Sequence, residues 1–212
     1  MLAGHYSAAF LGKALAPGLP LWILAIAAQL IDVLWAVFVI AGIEHLRVDP
    51  SLPSNPLDLY DMPYTHSLIG ALGWAALAAA AVFVWRREWL ASLVVAGAVA
   101  SHWLLDWVVH RPDLLLWGGS AKHGLALWNL PVVAFGVESL LLIASAWILL
   151  RSREAGRRPR RGVVAIVSSL LALQVVLTVS PPPIGPLAVG GSALVLFGAV
   201  AWGAWRAERP AA

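Results

Sequence analysis

The chain has 212 residues, 61% of them apolar and only 12% charged, where soluble domains carry about 25% charged residues. Net charge is +3, pI ≈ 9.8 and mean hydropathy +0.83, and the basic residues fall in short loops, a mark of membrane topology rather than a nucleic-acid surface. The absence of cysteine excludes disulfides, thiolate ligands and cysteine nucleophiles, and apolar runs near twenty residues recurring down the chain define an all-α, polytopic transmembrane bundle in contact with membrane lipids.

Residues 1–7 lack a basic region and a cleavage site, so no removed signal peptide is expected. Residues 2–16 form a short apolar segment ended by Ala16-Pro17-Gly18-Leu19-Pro20, a turn with strong breakers. A full span is expected over 20–43. His5 and Asp32 lie equally far on either side of the turn's midpoint, so an antiparallel hairpin brings them to one depth, roughly 20 Å from the turn. A carboxylate inside a span is costly enough that Asp32 reads as functional.

Residues 44–63 read as a Pro-rich acidic loop that carries Asp61, since Pro50, Pro53, Pro56 and Pro63 forbid a long helix. The next span, about 64–85, opens on Tyr64-Thr65-His66-Ser67 with His66 in its first turn and stops at Trp85-Arg86-Arg87. A further span covers 89–110, followed by a loop over 111–123 that contains His123. The span over 124–150 carries Glu138 within apolar sequence, and residues 151–161 contain six arginines. Two last spans, about 162–180 and 187–205, flank Pro181-Pro182-Pro183-Ile184-Gly185-Pro186; Gln174 is their one notable polar side chain, and scaffolding or lipid contact is their expected role. The architecture is thus six full spans plus a short N-terminal hairpin helix. It divides into a metal-site bundle over 1–150, a cytoplasmic basic loop over 151–161 and two scaffolding helices over 162–212.

Counting Lys and Arg orients the bundle. The side holding the 17–20 turn, the 86–88 loop, the arginine loop and the C-terminus carries eleven, against Arg47, Arg111 and Lys122 on the other. The first side is therefore expected to be cytoplasmic. His5, Asp32, His66, the 102–110 stretch and His123 then all lie toward the extracytoplasmic half. Many of the twelve tryptophans fall at span ends, as interface anchors do; Trp103 and Trp107 flank the 102–110 stretch.

That stretch concentrates the chemistry. His102, Asp106 and His110 recur at i, i+4 and i+8, which places them on one helix face. Imidazole and carboxylate at one-turn spacing can grip one cation. With His5, Asp32 and His66 at a similar depth, His5, Asp32, His66, His102 and Asp106 are the expected metal ligands. Nitrogen and oxygen donors without thiolate suit Zn²⁺ first, and also Mn²⁺ or Fe²⁺. Five ligands exceed one tetrahedral shell, so one or two ions are expected. Such a site lowers the pKa of a bound water and polarises a phosphoryl or carbonyl oxygen. Asp61, His110 or His123 are the candidates for general base or for orienting the ligands. No HExxH, GxSxG, Walker A or dinucleotide glycine motif occurs. Two other readings use the same residues: a proton- or ion-coupled transporter, to which Glu138 would contribute, and a scaffold stabilised by a structural metal.

Thr65-His66-Ser67-Leu68 followed by Ser101-His102-Trp103-Leu104-Leu105-Asp106 resembles the paired signature of the YdjM-type predicted membrane-bound metal-dependent hydrolases. His5 resembles that family's N-terminal histidine, and Gln29-Leu30-Ile31-Asp32 its aspartate motif. Gln29 and Leu30 stand where the motif's first half would be, leaving Asp32 alone, and Asp61-Met62-Pro63-Tyr64 replaces the basic residues that often precede the first motif. The resemblance covers roughly residues 1–115. It implies a bacterial inner-membrane hydrolase with a metal site, and the site's depth suits a phosphoester in a phospholipid or other lipid-linked substrate.

Overall fold

The computed structural model describes residues 2–53, 55–152 and 157–209, the side chains of 157–159 excepted. Residues 153–156 of the expected arginine loop thus lie outside the described residues. The described chain folds into eight helices: α1 (Tyr6–Leu15), α2 (Leu21–Ala28), α3 (Leu30–Ile40), α4 (Leu68–Arg86), α5 (Trp89–Val109), α6 (Pro131–Arg151), α7 (Arg157–Val179) and α8 (Pro186–Glu208). Five of them, α4 to α8, are long and apolar enough to cross a membrane.

The span expected over 20–43 is not one straight helix. α2 and α3 meet at an angle of 56° around Gln29, whose φ of −107° and ψ of 7° leave the helical region. Gln29 is spent elsewhere, because its Nε2 donates to the Leu2 carbonyl at 3.1 Å. Counting the bent pair as one, six spans result.

The Pro-rich loop also holds more order than its composition suggests. β1 (His45–Val48) and β2 (Leu57–Asp61) pair antiparallel, with Arg47 opposite Asp58 and Val48 opposite Leu57. Their inward residues Leu46 and Leu59 are buried, and the prolines are confined to the connecting turn and beyond. A smaller pair, β3 (Leu114–Leu115) with β4 (Lys122–His123), crosses the 111–123 loop. α6 starts at Pro131 rather than 124, because Ala126 takes a left-handed φ of 57° and a short 3-10 turn follows. Proline then opens the helix at a position where its missing N–H costs nothing.

α4 begins after Ser67, whose hydroxyl accepts from the Gly70 amide at 3.0 Å. His66 therefore sits in a bend just ahead of the helix, not inside its first turn. α4 ends at Arg87, with φ 56°, and turns straight into α5. The buried face of α5 runs Val95, Ala98, Val99, His102, Trp103, Asp106, Val109, the 3.6-residue stripe of a core helix. At the far ends of α1 and α8, Lys13 and Glu208 pair at 2.6 Å, and Glu208 also accepts from the Leu21 amide. α8 lies against α3 so closely that a Cβ on Gly190 would stand 2.9 Å from the Ala36 carbonyl oxygen. The opposite end of the bundle, under the two β-pairs, holds the ionisable residues.

Candidate metal centre

Four separate pieces of chain meet around Asp106. α5 supplies His102 and Asp106 one turn apart, and its next turn would carry His110. The helix ends there instead: His110 has ψ 147°, and its amide still donates to the Asp106 carbonyl at 2.7 Å. Leu125 and Ala126 donate to the freed carbonyls of Trp107 and His110, which caps the helix. α3 contributes Asp32 in its first turn. The turn before α4 contributes His66. The residue ahead of α1 contributes His5.

The donor atoms converge. From Asp106, Oδ1 lies 3.0 Å from His5 Nε2 and 3.4 Å from His110 Nε2; Oδ2 lies 3.1 Å from His102 Nε2 and 3.5 Å from His66 Nε2. Asp32 Oδ1 is 3.3 Å from His66 Nε2 and 3.4 Å from His102 Nε2. All are buried except Asp32, whose side chain retains 17% exposure. Two sets of ligand atoms lie within 4.8 Å of one another: His5 with Asp32 and His102, and His66 with His102 and Asp106. These buried groups can hold a metal ion. His102 belongs to both sets.

The outer nitrogens decide what the inner ones present. His102 Nδ1 is 2.9 Å from the Ala28 carbonyl, which can only accept. His66 Nδ1 is 2.9 Å from Thr65 Oγ1, whose own proton goes to Glu44 Oε2 at 2.6 Å. His110 Nδ1 is 2.8 Å from Asp113 Oδ1. Each of these rings therefore carries its proton on Nδ1 and turns the Nε2 lone pair inward, onto carboxylate oxygens that are also lone-pair donors. Lone pairs facing each other repel unless a cation lies between them.

Two cations can satisfy that arrangement, a proton or a metal. Proton sharing favours N···O distances near 2.9–3.0 Å, yet four of the six contacts measure 3.3 Å or more. A tetrahedral shell with ligands about 2.0–2.1 Å from Zn²⁺ sets neighbouring donors roughly 3.4 Å apart. The rings of His5 and His102 also stack at 3.6 Å with an interplanar angle of 6°, which disfavours a charge on both. The donor set fits a divalent metal.

Supporting residues hold this shell in place. Glu44, 1% exposed, accepts from the Tyr64 and Thr65 amides as well as the Thr65 hydroxyl, fixing the turn that carries His66. Glu138 accepts from the Leu2 and Gly4 amides at 3.0 and 3.3 Å, and so anchors the segment that carries His5. Ligand orientation through such partners is the usual construction of metal sites.

Of the sequence-predicted residues, His5, Asp32, His66, His102, Asp106 and His110 are brought together. Asp61 and His123 are not. Asp61 pairs with the exposed His45 at 2.7 Å across the β1–β2 edge, because the hairpin register sets these two residues opposite each other. His123 is set on β4 opposite Leu114. Sequence reasoning missed Glu44, Thr65 and Asp113 as partners of the ligands; only Asp113, three residues after His110, leaves a local signal.

A cavity of ≈ 650 Å³ opens onto the cluster, reaching Asp32, His66 and His110. Trp35 and Trp128 line it, rather than Trp103 and Trp107, and Glu138 also faces it. No family model, no curated protein and no solved structure matches the chain.

Proposed function

We propose that the chain is a metal-dependent hydrolase of the bacterial inner membrane, cleaving a phosphoester in a lipid-linked substrate at the extracytoplasmic face. The observation that supports this reading is the inward set of Nε2 lone pairs on Asp106, which is buried, and Asp32, which is partly so, with four of the six spacings longer than a shared proton favours. The resemblance of the Thr65–Leu68 and Ser101–Asp106 stretches to the YdjM-type hydrolases points the same way.

His5, Asp32, His66, His102 and Asp106 would hold one or two ions, Zn²⁺ first by donor type, with Mn²⁺ or Fe²⁺ also suited. A divalent cation there supplies Lewis acidity toward a phosphoryl oxygen. His110 is the residue placed for proton transfer. Its Nδ1 is held by Asp113, its ring packs 4.1 Å from Trp128, and it faces the cavity. His110 Nε2 takes a proton from the attacking water as the new P–O bond forms. It returns the proton to the leaving alkoxide as the old P–O bond breaks. Glu138, the residue that would support ion transport, is engaged with backbone amides instead.

The test is phosphate release from lipid phosphoesters by purified protein in vesicles. The reading expects activity that chelation abolishes and that His110→Ala lowers by roughly 10²-fold or more. Equal turnover by His110→Ala and by Asp106→Ala protein would end it.

A further inference from the structure

The cavity beside the cluster has two unlike ends. One is ionic, formed by Asp32, His66 and His110; the rest is walled by α6, α7 and α8 with side chains such as Phe135, Leu173, Val189 and Phe197. At ≈ 650 Å³ it lies within the range of about 300–1,000 Å³ typical of small-molecule sites. A phosphate group and a water fill only a small part of it. The α7–α8 pair, a scaffold by sequence, is here the wall of the site.

That wall carries one unspent polar group. Gln174 lines the cavity, and its Oε1 is buried with no hydrogen-bond partner. The neighbouring hydroxyls are already committed as donors: Thr178 to the Gln174 carbonyl at 2.8 Å, and Ser192 to the Val189 carbonyl at 3.0 Å. An amide oxygen left bare among apolar helices is costly. What fills the cavity must therefore bring a donor.

We infer that the cavity binds an amphiphile whose phosphate head would meet the cation held at Asp32 and His66, beside His110, with an apolar chain along α6 to α8 and a hydroxyl or amide N–H in its linker that donates to Gln174. The inference rests on the hydrolase reading for the fate of the head group, but not for binding of the chain. Gln174 is a specificity residue: it distinguishes a linker with a free donor from one without.

Binding is read with non-hydrolysable probes added to the protein in phosphatidylcholine vesicles, using the fluorescence of Trp35 and Trp128. The probes are a long-chain alkylphosphonate with a hydroxyl beside its head group, the deoxy counterpart, and methylphosphonate. The hydroxylated probe is expected to bind roughly three- to tenfold tighter than the deoxy one, the worth of one hydrogen bond, and methylphosphonate far more weakly than either. Gln174→Leu removes the preference between the long-chain probes. Ala193→Trp, which fills the apolar end, removes the advantage of chain over methyl. A hydroxyl preference that survives Gln174→Leu, or equal binding of long-chain and methyl phosphonates, overturns the inference. Metal content measured on the same samples separates the two readings: protein that binds the long-chain probe through Gln174 yet holds no metal contradicts the hydrolase alone, and metal-loaded protein indifferent to the chain contradicts this inference alone.

Discussion

At Thr65 one hydroxyl does two things: it donates to Glu44 and accepts from His66 Nδ1. Removing it frees the ring to rotate and to take its proton on the other nitrogen. Thr65→Val is expected to weaken metal binding by roughly 10–100-fold while leaving the fold intact, as competition with a chelating dye would measure. Glu138 acts on His5 in the same indirect way. Glu138→Leu releases the Leu2 and Gly4 amides, so loss of bound metal is expected to exceed any loss of helix content measured by circular dichroism. The sequence made His102 and Asp106 readable, because i, i+4 spacing within an apolar helix is a local fact. It made Asp32 suspect through its cost in a span, and His66 through its depth and the Thr65–Leu68 motif. Glu44 was opaque, since it meets Thr65 only once the β1–β2 hairpin has brought the chain back. Asp61 had the right chemistry, but the β1–β2 register pairs it with His45.

The elements were legible where hydropathy is continuous and not where tertiary partners override it. α4 and α5 stand as expected, ended by the αL residue Arg87 and the turn into Trp89. The break at Gln29 left no breaker residue to read; it exists because Gln29 serves Leu2 and the Ala28 carbonyl beside it serves His102. Above the site, Arg111 holds the β1–β2 turn through the carbonyls of Pro53, Asn55 and Leu57 at 2.6, 3.0 and 3.5 Å. Pro50, Leu52 and Asn55 of that turn line the cavity. Within it, Ser51 donates its hydroxyl and amide to Asp49, holding that carboxyl below its usual range. Arg111→Ala is expected to speed amide hydrogen exchange over Asn55 to Leu59 by roughly tenfold or more, leaving α4 and α5 unchanged. Exchange that stays at the wild-type rate would remove Arg111 as the turn's latch. At the α3–α8 crossing, Gly190→Val meets the Ala36 carbonyl and Ile40 and is expected to cost about 1–3 kcal/mol of stability, read as an earlier thermal midpoint.

For the whole molecule, the proposed orientation rests on the eleven-to-three division of basic residues, and the chain's lack of cysteine makes it easy to check. Ser51→Cys, in the turn over the site, is expected to react with a membrane-impermeant maleimide added outside, while Arg87→Cys reacts only after permeabilisation. The reverse pattern would put the centre on the cytoplasmic face. Within the bundle, gathering one buried and one partly buried carboxylate among four imidazoles is unfavourable unless cations are present, so the same core that gathers these groups demands something to hold them together.

That demand is settled most directly by elemental analysis of purified protein, wild type beside His102→Ala and Asp106→Ala, the two positions that share most of the donor contacts. The account predicts at least one divalent metal per chain in the wild type, lost from both variants while their helical content is retained. Wild-type protein that holds no metal after reconstitution, or variants that keep it, would contradict the metal centre.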